Sequence, residues 1–240
     1  MLFGGIVLQS NPIIMQKRFK YLEFITAFFV TALIVSNVAS SKIVAMGSFS
    51  FDGGTLLFPL VYIFGDILTE VYGYARSRRV IWTGFLMMAL AAAVFMIVGV
   101  LPSATGWDGQ AAYDKILGIT PRIMAASMLA YFFGEFSNSF IMAKMKVVMK
   151  GKMLWARTIG STLVGEALDT LIFILASFAG VLPYDLLIVV IISNYIFKVG
   201  VEVVFTPVTY AITRFLKREE SEDYYDNKTD FNPFKLDAGA

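Results

Sequence analysis

Six apolar stretches, each about twenty residues or longer, leave this chain few ways to fold. They fall near residues 21–41, 54–74, 80–101, 122–144, 156–181 and 184–214. A helix needs about 20 mostly apolar residues to cross a hydrocarbon core of roughly 30 Å. Inside that core every backbone polar group must find a partner within the protein, so only helices or closed barrels span it. Barrel strands alternate polar and apolar residues with period two, and these stretches do not. The expected fold class is therefore an all-α membrane protein, a bundle of six transmembrane helices. Composition agrees: the 240 residues are 58% hydrophobic and 16% charged, against about 45–50% and about 25% in soluble domains. Six spans nearly exhaust the length. What remains is an N-terminal lead-in (1–20), the transmembrane domain (21–214) and a polar tail (215–240).

The linkers give an orientation. Lys17, Arg18 and Lys20 precede the first span. Arg76, Arg78 and Arg79 lie between the second and third. Lys144, Lys146, Lys150, Lys152 and Arg157 lie between the fourth and fifth, and Arg214, Lys217 and Arg218 follow the sixth. The alternate linkers hold only Lys42, Lys115 and Arg122. Positive residues mark the cytoplasmic side, so both termini are expected inside. The lead-in lacks a signal-peptide layout, because its basic residues follow its apolar run. The linker 103–120 reads as an external loop that folds over the bundle. The acidic, polar tail is expected to be mostly disordered.

Histidine and cysteine are both absent. That removes the commonest general base, the commonest metal ligands and any thiol nucleophile. No Walker motif occurs, so any ATP hydrolysis would belong to a partner. An intramembrane aspartyl protease is disfavoured because "IFGD" lacks the first glycine of Gly-x-Gly-Asp. No enzyme activity, cofactor or metal is expected.

The informative residues are ionisable groups where lipid should be. The second stretch carries Asp66 and Glu70, the fourth Glu135 with Asn138, and the fifth Glu166 and Asp169. The sixth carries Asn194, Lys198 and Glu202, and the first has Asn37 near its outer end. A charge at the bilayer centre costs about 2.5–3.5 kcal/mol on insertion scales, so such groups face the bundle interior. Steps of i,i+3 and i,i+4 put each set on one helix face. At about 1.5 Å rise per residue the four faces meet near the membrane midplane or just inside it. Six acids stand against Lys198 as the only base buried in the spans, with Arg157 at an inner end able to pair with one. A self-contained network would tend towards balance. The surplus points to protonated acids, a bound cation or a ligand rich in hydrogen-bond donors. The polar groups differ from span to span, which suits an asymmetric midplane site for one organic molecule better than a channel ring.

Four of these stretches, "DILTEVYGYARSRRVIW", "GEFSNSFIMAKMK", "RTIGSTLVGEALDTLIF" and "YIFKVGVEVVFTP", together resemble the queuosine precursor transporter family, also filed as a vitamin uptake transporter family. The resemblance covers most of the bundle. It implies import of 7-deazaguanines (7-cyano-7-deazaguanine, its aminomethyl analogue or queuine) for salvage into tRNA, with no direct contact to nucleic acid. It also implies a six-helix fold like the substrate-binding subunits of energy-coupling-factor transporters, some of which work with an ATPase module. The base offers N1–H and N2–H₂ donors to one carboxylate, and its O6 accepts from a donor such as Asn138 or Lys198. Glu135, Asn138, Glu166 and Asp169 are the first candidates for ligand contact, with Asp66, Lys198, Glu202, Glu70 and Asn37 beside them. Two alternatives stand. One is a transporter or binding subunit for another vitamin or small organic cation. The other is a structural membrane protein whose charges only assemble helices.

Overall fold

A computed structural model describes residues 19–46, 49–118, 121–180 and 183–235. Most of the lead-in, with Lys17 and Arg18, lies outside the described residues. Seven α-helices occur among them: α1 (Leu22–Ala39), α2 (Phe58–Tyr72), α3 (Tyr74–Val100), α4 (Gln110–Ile116), α5 (Pro121–Val148), α6 (Leu154–Phe178) and α7 (Tyr184–Glu220). Helices α1, α2, α3, α5, α6 and α7 fall on the six apolar stretches. Four of them (α1, α3, α6 and α7) carry segments long and apolar enough to cross a membrane by length and composition. Their apolar side chains point outwards: on α3 Leu86, Leu90, Val94, Ile97 and Val100 are all exposed, as lipid-facing residues must be.

The short α2 is the central element. It touches α1, α3, α5, α6 and α7, and nearly every residue from Val61 to Tyr72 is buried. At 15 residues it is about 22 Å long, shorter than a span needs. It is extended at its start by a 3-10 turn, Gly53–Leu56. Before it comes an antiparallel hairpin, β1 (Ile43–Met46) with β2 (Phe49–Asp52), whose register pairs Ile43 with Asp52. The hairpin was not legible as strands, because it is short and flanked by apolar runs.

Helix α3 begins six residues earlier than its apolar stretch. Arg76, Arg78 and Arg79 therefore lie on a helix, not in a linker. Only Gly73 separates α2 from α3, with φ +85°, a conformation that glycine adopts without strain. The linker after α3 folds back onto the end of that helix: Tyr113 of α4 donates to the Phe95 carbonyl (3.1 Å) and Gln110 to the Gly99 carbonyl (3.0 Å). Helix α7 runs for 37 residues, about 55 Å, with Pro207 inside it. It outlasts a hydrocarbon core and projects beyond it.

The tail departs from the expectation of disorder. Residues 221–235 lie across the end of the bundle formed by the start of α3 and the ends of α2, α5 and α7. The Tyr224 N–H reaches the Val71 carbonyl (3.2 Å). Asp226 accepts the first N–H of α3, at Tyr74 (3.0 Å). Arg78 donates to the carbonyls of Asp230 (2.8 Å) and Asn232 (2.6 Å), and Trp82 to that of Pro233 (2.7 Å). The tail is polar, but it supplies acceptors for a basic face and aromatic rings for Tyr74, Trp82 and Phe140. Composition alone could not see that face. Glu220, at the end of α7, accepts the backbone N–H groups of Lys20 (2.9 Å) and Tyr21 (2.7 Å) at the start of α1. Both ends of the described chain therefore meet on one side of the bundle.

Candidate functional site

The polar faces of α2, α5, α6 and α7 do converge, but they sort into two groups. The deeper group contains Asp66, Glu135, Asn138, Glu166, Asp169, Lys198 and Glu202. Asp66, Glu135 and Asn138 are fully buried, and Glu166 and Glu202 are only 1% exposed. Asn138 donates to Asp66 Oδ1 (2.7 Å), and Ser161 donates to the same oxygen (3.3 Å). Lys198 donates to Asp169 Oδ2 (2.7 Å) and stands 2.9 Å from Glu166 Oε2, an ion-pair contact without an aligned hydrogen bond. Its ammonium also lies 4.9 Å above the Phe58 ring.

Missing side chains make this meeting possible. At Gly134 a Cβ would run into the Tyr62 hydroxyl and Asp169 Cβ; at Gly165 it would meet Asn138 Cβ at 2.8 Å and the Gly134 carbonyl at 3.0 Å. Helices α5 and α6 thus touch backbone to backbone, with Tyr62 of α2 wedged against both. At Gly65 the space of a Cβ is taken by the Glu135 carboxyl. These glycines therefore set helix approach, as small residues do in membranes.

Several buried polar atoms of this group have no hydrogen-bond partner among the described residues: Tyr62 Oη, Asp66 Oδ2, Asn138 Oδ1 and both oxygens of Glu135 and of Glu202. Leaving such groups unpaired costs about 1–3 kcal/mol each, more for charges. All except the Tyr62 hydroxyl are acceptors. Asn138 was expected to offer a donor. One N–H of its amide goes to Asp66, since a carboxylate only accepts, and its oxygen is left unpartnered. The arrangement is suited to a small ligand rich in N–H donors. No three acids converge in a way that could hold a metal ion among the described residues.

Glu70 does not join this group, although it stands one turn from Asp66. It is paired with Arg157, with Lys217 (2.5 Å) and more distantly with Lys146 (3.7 Å). Lys146 also donates to the Glu70 carbonyl, to Asp223 Oδ1 (2.6 Å) and to the Tyr224 carbonyl (2.7 Å). Lys217 reaches Asp223 as well (2.8 Å). Helices α2, α5, α6 and α7 and the tail are thereby tied at one point. Burial alone would raise the Asp223 carboxyl, but the hydrogen bonds and charges of Lys146 and Lys217 outweigh it and hold it below the usual range. The expected count of one buried base is therefore corrected: Arg78, Lys146 and Arg157 are each only 1% exposed. Their long side chains reach inwards from helix ends that sequence alone places in linkers. Asn37 is elsewhere too. It accepts from Ser127 (3.0 Å) and donates to the Leu33 carbonyl (2.9 Å), in an apolar cleft lined by Ile34, Met88, Phe95 and Leu117.

Sequence reasoning did not single out Tyr62 or Ser161 as site residues. Ser161 does donate to the Thr158 carbonyl (2.9 Å), but it also lies against Asp66. It also passed over the buried hydroxyl trio Thr69, Ser77 and Ser139, within 3.0–3.1 Å of one another. No charge or period marked these residues.

Long apolar helices around a closed, polar, asymmetric site define a multi-pass membrane transporter. Residues 52–212 match the family described as "Putative vitamin uptake transporter", and the chain belongs to that family. It is similar to the "Probable queuosine precursor transporter" of Bacillus subtilis strain 168: 29% identical over 192 residues, 79% of this chain and 83% of that one. The "Queuosine precursor transporter" of Escherichia coli K12 is 23% identical over 205 residues, 84% of this chain and 90% of that one. A third relative, the "Probable queuosine precursor transporter" of Haemophilus influenzae Rd, is 24% identical over 175 residues, 68% of this chain and 72% of that one. These relatives are named as transporters, not as enzymes. No solved structure matches the chain.

Proposed function

We propose that this protein imports 7-deazaguanine precursors of queuosine across a bacterial plasma membrane. In this reading α1, α2, α3, α5, α6 and α7 all cross the membrane, and both termini lie in the cytoplasm. The observation that carries the reading is the acceptor-rich group on α2, α5, α6 and α7, with Glu135 unpartnered at its centre. The names of the relatives supply the substrate class. Glu135, whose two oxygens are both unpartnered, accepts N1–H and N2–H₂ together. Lys198, held between Glu166 and Asp169, donates to O6. Asn138 Oδ1 and Tyr62 take remaining polar edges of the base. Charge-assisted, bidentate contacts of this kind are the strong ones.

The Glu70 network closes the inward end of the site, and the tail fastens it. The test is uptake of labelled 7-deazaguanines by cells unable to make them, with and without this gene. Gene-dependent accumulation that unlabelled 7-deazaguanine competes away is the expected result. Uptake of another small organic cation in its place would move the assignment to that ligand.

A further inference from the structure

From the site towards the tail, α7 buries its polar face and shows its apolar one. Glu202, Thr209 and Thr213 are only 1–2% exposed, while Val203, Val204, Val208 and Phe215 are exposed. Steps of seven, four and four residues put Glu202, Thr209, Thr213 and Lys217 on one side of the helix. Lys217 donates to Glu70 of α2 (2.5 Å), so that side faces α2, against which α7 packs. Thr209 gives its hydroxyl to the Phe205 carbonyl (3.4 Å), but the Thr213 hydroxyl and both Glu202 oxygens have no hydrogen-bond partner among the described residues. Stability alone would favour valine over threonine in such a seam, because a buried polar group left unpaired is costly. The seam is nevertheless polar along its length, from Glu202 at the site to Lys217 under the tail.

It stops at the Glu70 network. Among the described residues, three cations, Lys146, Arg157 and Lys217, meet two carboxylates there, Glu70 and Asp223. The cations and Glu70 are carried by α5, α6, α7 and α2. Asp223 belongs to the tail, and its side chain is 44% exposed where that of Glu70 is 1% exposed. It touches Lys146 (2.6 Å) and Lys217 (2.8 Å) together and so joins α5 to α7. The next two residues seat the tail: the Tyr224 N–H reaches the Val71 carbonyl (3.2 Å), and the Tyr225 ring lies 4.7 Å from the Lys146 ammonium. With Asp223 lifted away, three cations share one carboxylate. Like charges repel most where little water screens them, so the helix ends that carry them are driven apart.

We propose that the α2–α7 seam is the release route of the transporter, lined by Thr209 and Thr213, and that Asp223 is its latch: cargo leaves along the seam when the tail lifts. The proposal rests on the reading of the protein as an importer, and not on which molecule it carries.

The experiment reads the latch without any ligand. The full chain has no native cysteine, so Thr213→Cys sets a reporter in the seam, one turn before Lys217. Inside-out membrane vesicles are treated with an impermeant maleimide. Labelling is expected to be slow with Asp223 present. It is expected to be at least about tenfold faster when Asp223→Asn is added, since hydrogen bonds to charged groups contribute at that scale, and faster again with Asp223→Lys. Asp223 is partly exposed and on the tail, so neither change removes core packing. Ser177→Cys, buried near the other end of α6, is the control. In right-side-out vesicles its labelling is not expected to rise with either tail variant, because alternating access opens one end at a time. Thr213→Cys labelling that neither tail variant raises would overturn the latch. Equal rises at both reporters would overturn it too, by showing that the tail only holds the fold together. A tail-dependent reporter in a protein that takes up no 7-deazaguanine would keep the latch and overturn the substrate assignment alone.

Discussion

Asp66 and Glu70 stand one turn apart on α2, and their surroundings assign them different work. Glu70 has Arg157, Lys217 and Lys146 around it and is 1% exposed. Replacing one member of a buried ion pair strands the others, at a cost of about 3–5 kcal/mol. Glu70→Gln is therefore expected to cut the yield of monodisperse protein sharply. Asp66→Asn removes a charge that no cation compensates; it is expected to keep yield and lose at least about tenfold in uptake. Equal yields for the two variants would show that the Glu70 network is not what holds these helices together. Lys198 belongs with both roles. It pairs with Asp169 and Glu166, and not with Glu135, so Lys198→Met leaves two acids bare and is expected to lower yield and uptake together.

Helix-level features follow from contacts that sequence shows only in part. The i,i+3 and i,i+4 spacing correctly put acids on facing sides of α2, α5, α6 and α7. It could not show that Lys146 and Lys217 reach back along their helices to Glu70, because long basic side chains place their charge far from their Cα. Nor could it show that an acidic tail would find a basic face. That tail braces the α2–α3 joint: the Tyr224 ring fills the space beside Gly73, and Asp226 takes the first N–H of α3. A carboxyl held lower in the folded than in the unfolded chain adds stability above its ordinary range, about pH 4, and loses it as pH falls through and below that value. Asp223 is such a group, so its hold on Lys146 and Lys217 is full at neutral pH and fails on acidification. Asp226, raised chiefly by burial, works in the opposite sense. Trp82, bonded to the Pro233 carbonyl, reports the contact. In protein with Trp107 and Trp155 replaced by Phe, its fluorescence is expected to shift in this acid window, and Asp223→Asn is expected to show the shifted signal already at pH 7. The α5–α6 crossing gives a second test. Gly165→Val places carbon against the Gly134 carbonyl and Asn138 and is expected to cost about 1–3 kcal/mol, as overpacking does. An unchanged unfolding midpoint would mean that the two helices do not approach this closely.

For the whole molecule, the decisive quantity is the number of crossings. The described chain starts and ends on one side, because Glu220 at the end of α7 accepts the N–H groups of Lys20 and Tyr21 at the start of α1. An even number of spans follows wherever that contact exists in the membrane. Four helices satisfy length and apolarity unaided. Helix α2 is too short to do so, and α5 carries Glu135, Asn138 and a basic end. Yet α2 has five helical neighbours and nearly all its residues buried, and α5 turns Glu135 and Asn138 inwards while Leu129, Phe133 and Phe140 are exposed, so the polar groups of both are kept from lipid. Six crossings are therefore expected, with Arg76, Lys146, Lys217 and the tail inside, by the positive-inside rule. The absence of native cysteine makes this testable with single replacements. Ala104 lies in the exposed turn after α3, and Lys228 is exposed in the tail. In intact cells an impermeant maleimide is expected to label Ala104→Cys, and to label Lys228→Cys only after the membrane is opened. Labelling of Lys228→Cys from outside would invert the orientation. Labelling of both positions from outside would place the α3–α4 turn and the tail on one side, and six crossings could not then hold.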